Sequence, residues 1–243
     1  ERYQDPEIKF EMGEAAKALR RDMRFDANDV ARFIHDGYWS SETLLDLFDQ
    51  TADDNLKSQA RQTAGGLLAR GLGRGDVVAG SFADSTENLI AFFATVMAGG
   101  IYFPIAPDVP ADALVQHAKA HCLLTTLPEA EASAETTDIL KSRRPAAADP
   151  VILLLSPPTD AIPRLAIHTH QTMISAVRNS GDRLPAIASL LTGEGAEVLS
   201  TTVPGVELRE DRRQVRGPTI FAGYFNNADN AHRTTDGWFI LKG

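Results

Sequence analysis

The chain has 243 residues, 43% of them hydrophobic and 23% charged, with a formal net charge of −9. That is enough apolar material for a substantial core, in one large domain or two small ones, while the acidic balance excludes general attraction to phosphate backbones, so no nucleic-acid partner is expected. The single cysteine, Cys122, excludes an internal disulfide framework and a cysteine-built metal site; no apolar run of about 18 residues points to a membrane span and no secretory signal is found, so a cytoplasmic protein without membrane attachment is expected.

Residues 1–22 are charged and weakly helical and read as an N-terminal extension, with Met23 a natural start for the domain over 23–243. A helix is predicted to begin at Ser40 or Ser41, ahead of the apolar set Leu44, Leu45, Leu47 and Phe48. Small and apolar positions at helical spacing over 58–72 predict a second helix, which the Gly-Arg-Gly-Asp turn at 73–76 breaks before a short buried strand from Val77. The pattern repeats as a helix over 87–98, a stop at Gly99 and Gly100, and a strand over 101–105. It repeats again as a helix over 111–120 and a strand over 122–126. Helices alternating with continuous apolar strands predict an α/β fold, layered, with a mostly parallel sheet flanked by helices and covered on both faces over 77–155. The Ala-, Glu- and Pro-rich stretch 128–150 reads as a surface connection, and 151–155 as the most strand-like run. A loop at 156–165, Ile167-His-Thr-His170 and a helix to Asn179 come next; the last third lacks clear periodicity and closes on strands and turns at 215–225 and 236–239.

Several side-chain groupings invite a chemical reading. His117, His121 and Cys122 have a spacing that could share a metal on a helix, but no further ligand is near in sequence, so packed or surface histidines are favoured and no metal site is assigned. His168 and His170 are read as structural. The turns at Gly71–Gly75 and Gly193–Gly195 do not meet a nucleotide-loop fingerprint. Tyr38, Trp39 and Trp238 are read as core or interface aromatics.

Five segments, in order, resemble the N-terminal domain of adenylate-forming, AMP-binding acyl/aryl-CoA ligases. Residues 71–78, Gly-Leu-Gly-Arg-Gly-Asp-Val-Val, are similar to that family's Gly-Val-x-x-Gly-Asp-x-Val, and 92–105 to its Ala-Gly-Gly-x-x-x-x-Pro segment. Residues 167–170 sit where the family's phosphate loop ends, and 215–225 and 236–239 match its Arg-Gly…Gly-Tyr and Asp-Gly-Trp-Phe segments. The start of the chain is most similar to ligases for cyclic or aromatic acids. The resemblance covers 23–243 as a shortened version of the domain, without the family's small C-terminal domain and its lysine. It implies ATP and Mg as the nucleotide pair, attack of a small carboxylic acid on the α-phosphate, and coenzyme A as second substrate.

The nucleotide motifs of the family are altered in this chain. The family loop Thr-Ser-Gly-Thr-Thr-Gly-x-Pro-Lys-Gly corresponds to Ser156-Pro-Pro-Thr-Asp-Ala-Ile-Pro-Arg-Leu165, with all its glycines replaced. Pro157 and Pro158 each lack an N–H to offer phosphate, and Asp160 adds a like charge. Thr159 and Arg164 are the remaining candidate nucleotide ligands; no catalytic residue is assigned. The ribose-binding aspartate position holds Gly243, and Asp236 is read as a turn cap. Three readings stay open: a ligase acting alone or after joining a partner domain, a non-catalytic binding or assembly module with a protein partner or a second copy, and an incomplete copy of an active ligase.

Overall fold

Four short apolar runs build the parallel part of a six-stranded sheet: β1 (Val77–Gly80), β2 (Ile101–Pro104), β3 (Cys122–Leu124) and β4 (Pro150–Leu155). The computed structural model describes residues 19, 23, 25–130, 133–156, 164–192, 204–209, 213–225 and 237–240. The pairings of β1 with β2 and β3, and of β2 with β4, are all parallel, as the apolar runs predict. Beyond β4 the sheet changes sense. Strand β5 (Leu165–Thr169) and β8 (Gly223–Tyr224) add antiparallel, giving the order β3-β1-β2-β4-β5-β8. The short connection between β4 and β5 forces this, because a parallel neighbour needs a crossover of about a dozen residues or more. Strands β6 (Glu207–Arg209), β7 (Gln214–Arg216) and β9 (Phe239–Ile240) form a separate antiparallel sheet, order β6-β7-β9.

Eight helices are described: α1 (Ala27–His35), α2 (Leu44–Thr51), α3 (Asp54–Ala69), α4 (Ser85–Met97), α5 (Ala111–His117), α6 (Ala134–Ser142), α7 (His170–Val177) and α8 (Arg183–Leu190). They cover both faces of the large sheet, as expected. Alternate strand residues divide between two cores. Val78, Tyr102, Ile152 and Leu154 pack with Leu47, Phe48, Ala64, Phe92, Phe93 and Ile187 from the helices on one face. Val77, Ala79, Ile101, Phe103 and Leu153 pack on the other, with Leu114, Ala118 and Leu19. The first core is anchored by Phe48 stacked on Phe93 with centroids 4.1 Å apart, and full burial of each such ring contributes about 2 to 3 kcal/mol.

Several local expectations are corrected. The start of α2 is Thr43, not Ser40 or Ser41: its hydroxyl accepts from the Asp46 N–H while the Asp46 carboxylate accepts from the Thr43 N–H, a reciprocal cap that neither serine forms. Helix α1 was not anticipated, yet its ends are written in the sequence. Asp26 accepts from the Asn28 and Asp29 N–H groups, and Gly37, at φ +74, lets the Tyr38 N–H return to the Phe33 carbonyl. Stretch 128–150 is more than a surface connection: Pro128 lies against Gly66, where an added Cβ would come within 2.6 Å of its carbonyl oxygen, and α6 follows. Helix α8 carries Pro185 in its first turn, where the missing N–H has no intrahelical partner to lose.

Ahead of β1 and β2, Arg143 holds two turns together. Its guanidinium donates to the Leu72 carbonyl at 2.7 Å and the Ala98 carbonyl at 2.9 Å, placing a cation at the C-terminal end of α4. Gly99, at φ +79, brings its carbonyl to the Gly75 N–H at 2.7 Å beside it. Among the described residues no helix is long and apolar enough to cross a membrane.

Candidate functional site

The parallel strands all point their C-terminal ends to one edge of the sheet. The chain leaving β1 enters α4 in the first core, and the chain leaving β2 enters α5 in the second. Where successive connections diverge in this way, α/β sheets usually take their ligand beyond the strand ends. Ser156 follows the last residue of β4 at that edge, and the segment predicted to meet phosphate begins there.

Of that segment, the structure describes only its two ends. The Ser156 N–H donates to the Arg164 carbonyl at 2.8 Å, continuing the β4–β5 ladder by one step and closing the loop at its base. Ser156 is 1% exposed and Arg164 7% exposed. The Arg164 guanidinium carbon lies 5.1 Å from the centroid of the Tyr224 ring, which itself packs against Phe221 at 4.7 Å. The cation is thus laid over an aromatic face. Tyr224 was not singled out as a site residue; its signal was the Gly-Tyr pair within the matching segment 215–225. Thr159 lies outside the described residues, as do Pro157, Pro158, Asp160, Asp236, Gly243 and the turn at 193–195.

The two histidines after the loop are buried and structural in their contacts. His168 Nδ1 is 3.2 Å from the Thr172 hydroxyl. His170, 1% exposed, accepts the Leu44 N–H at Nδ1 over 3.1 Å. That N–H is one of the first-turn donors of α2 that no helical carbonyl can satisfy, so the imidazole works as a second cap beside Thr43. An accepting Nδ1 must be unprotonated, and burial accordingly pushes the His170 pKa down to about 3, with Asp46 pulling weakly the other way. Burial raises the Asp46 pKa in turn, but hydrogen bonds from Thr43 and Arg144 outweigh it and hold this carboxyl below its usual range.

The pair His117 and His121 does not share a helix face. Helix α5 ends at His117, Lys119 turns through φ 51, and His121 sits with Nε2 3.2 Å from the Arg70 carbonyl and Nδ1 3.5 Å from Asp76. Among the described residues no three His, Cys, Asp or Glu side chains converge to hold a metal. Trp39 and Trp238 are buried, Trp39 donating its indole N–H to the Pro218 carbonyl at 3.0 Å. Trp238 lies under two guanidiniums, Arg209 at 3.9 Å and Arg216 at 4.8 Å. Arg216 and Arg32 share the Glu207 carboxylate and both approach Asp29, tying α1 to the small sheet.

A layered sheet of four parallel strands continued by antiparallel β5 and β8, with helices on both faces, is an architecture that this chain shares with solved structures. Apo MatB from Rhodopseudomonas palustris superposes with a TM-score of 0.54 at 16% identity, over 76% of this chain and 69% of that one. Apo MbtA from Mycobacterium smegmatis gives 0.53 at 18% identity, over 66% of this chain and 40% of that one. In sequence, bacitracin synthase 1 from Bacillus licheniformis is 28% identical over 142 residues, which are 51% of this chain and 3% of that much longer protein. The family model described as AMP-binding enzyme matches residues 54–161. That portion of the chain is similar to AMP-binding enzymes.

Proposed function

We propose that this chain is a relative of the AMP-forming carboxylic acid–CoA ligases that keeps their N-terminal scaffold as a binding or assembly module and does not by itself carry an acid through adenylation. The observation that carries this reading is Arg164. It is the one cation in the loop segment, and its guanidinium is buried over the Tyr224 ring, which leaves little of it exposed to meet a triphosphate. In the sequence, two prolines that lack an N–H to donate and an added aspartate charge weaken the loop as a phosphate ligand further. A single half-buried cysteine fits the reducing cytoplasm in which such a module would work.

Energetics set the expected outcome. One charge-assisted hydrogen bond contributes about 1.5 to 3 kcal/mol, whereas a dissociation constant of 1 mM already needs about 4 kcal/mol. With Thr159 and Arg164 as the remaining ligands, calorimetric titration of the folded chain with ATP and Mg is expected to show millimolar affinity or weaker. Pyrophosphate exchange over a panel of cyclic and aromatic acids is expected to stay at background. Micromolar binding, or acid-dependent exchange lost on Arg164→Ala, would restore the ligase reading, with a small carboxylic acid and coenzyme A as substrates.

A further inference from the structure

Among the described residues, the three-stranded sheet ends at β6, and β7 is the only strand paired with it. Its central side chain, Leu208, is 50% exposed, one of two large hydrophobic side chains so open among those residues. An edge of this kind is a template for another strand unless its sequence forbids pairing.

The sequence of this edge selects one partner. Its residues are Glu207, Leu208 and Arg209, an acid and a base flanking an apolar centre. Paired antiparallel with a second copy, Leu208 meets Leu208, and each Glu207 meets the other chain's Arg209. Paired parallel, like charges would stand opposite each other, which destabilises cross-strand pairs. Glu207 and Arg209 are two apart on the strand and so project to the same face, where their opposite-charge partners would also lie.

We propose that β6 is a homodimerisation edge, through which two copies of this chain pair antiparallel about a twofold axis at Leu208. The two small sheets then join as one six-stranded sheet, in the order β9-β7-β6-β6-β7-β9. Glu207 already accepts from Arg32 at 2.7 Å and from Arg216 at 3.1 Å, and its side chain remains 43% exposed, open to a further guanidinium. An ionised carboxylate has about four acceptor sites, so these bonds do not saturate it. The Arg209 guanidinium lies over Trp238, 3.9 Å from the ring centroid, which limits the freedom lost on pairing. A three-residue edge covers far less than the roughly 1,200 to 2,000 Å² of a tight interface, so the dimer is weak and concentration-dependent.

The twofold axis gives the test its specificity. Sedimentation velocity of the unaltered chain, from low to high micromolar, is expected to show a monomer–dimer equilibrium. Leu208→Lys and Leu208→Glu each set like charges across the axis and should each weaken dimerisation about tenfold or more. An equimolar mixture of the two variants should recover it, since lysine then faces glutamate. Leu208 is half exposed, so both variants should fold, and circular dichroism and thermal melting check this. A monomer at every concentration, a dimer indifferent to both variants, or a mixture no better than its components would each overturn the proposal. If the charged variants fail to fold, Leu208→Ser, which removes the apolar contact without adding a charge, decides it: weaker dimerisation supports the proposal and an unchanged monomer–dimer equilibrium overturns it.

Discussion

Replacing His170 by alanine is expected to lower the free energy of unfolding by about 3 kcal/mol or more at neutral pH. The substitution removes a fully packed ring and strands the Leu44 N–H, and an unsatisfied buried donor alone costs about 1 to 3 kcal/mol. The asparagine variant separates the hydrogen bond from the titration. Its side-chain oxygen can occupy the place of Nδ1, so His170→Asn should keep most of the stability at neutral pH while abolishing one source of acid sensitivity. In the unaltered chain the folded pKa of about 3 lies below the ordinary value of 6.5. The unfolded state therefore binds the extra proton between these values, and stability present above pH 6.5 is lost as the pH falls towards 3. At pH 4.5 the loss from this group should be roughly 2 to 3 kcal/mol. Urea denaturation of both proteins from pH 7 to pH 4.5 measures the difference, with other titrating groups common to both. Parallel pH profiles would show that His170 does not hold the cap.

The second large effect is expected at Gly80. It lies on β1 beside the ring of Tyr102, which crosses from β2, and an added Cβ would come within 2.6 Å of the Tyr102 Cζ. The tyrosine has nowhere to retreat, because its ring is fully buried and its hydroxyl donates to the Asn88 side-chain oxygen at 2.5 Å. Burial also pushes its pKa up, so the group stays a neutral donor. Overpacking a core usually costs about 1 to 3 kcal/mol, and Gly80→Ala should sit at or above the top of that range. The double variant Gly80→Ala with Tyr102→Leu should be less destabilised than the sum of the two single changes, since each relieves the clash that the other meets. Strict additivity, or a Gly80→Ala protein as stable as its parent, would contradict the packing described.

Much of this architecture is legible in the residues. The runs from Val77, Ile101 and Val151 are apolar without alternation, which is the mark of strands buried on both faces, and the structure buries them in two cores. Helix α1 escaped notice because its caps, Asp26 and Gly37, are single residues, whereas the aromatic-rich segment after it draws attention to a turn. Helix α6 escaped because none of its residues is buried, so it carries no apolar stripe to detect. At the candidate site the sequence names Arg164 but not its surroundings. Tyr224 is sixty positions away in the chain, and only the pairing of β5 with β8 brings the ring beneath the guanidinium. Likewise nothing local ties Leu44 to His170; the contact exists because α2 and the start of α7 meet over the sheet.

The antiparallel step between β4 and β5 also bears on how the chain reaches its native state. Leu155 and Leu165, which pair at the base of that hairpin, are ten positions apart, whereas Val77 and Ile101 are separated by twenty-four and Tyr102 and Ile152 by fifty. Closing a longer loop costs more entropy before any contact forms, so the hairpin is the one ladder in the large sheet that local chain motion can assemble early. The parallel strands must then be recruited to it across long connections, with β2 docking on an already formed β4. Pulse-labelled hydrogen exchange should find the Leu153–Leu155 and Leu165–Ile167 amides protected ahead of those in β1 and β3. Simultaneous protection throughout the sheet would mean that its nucleus lies elsewhere.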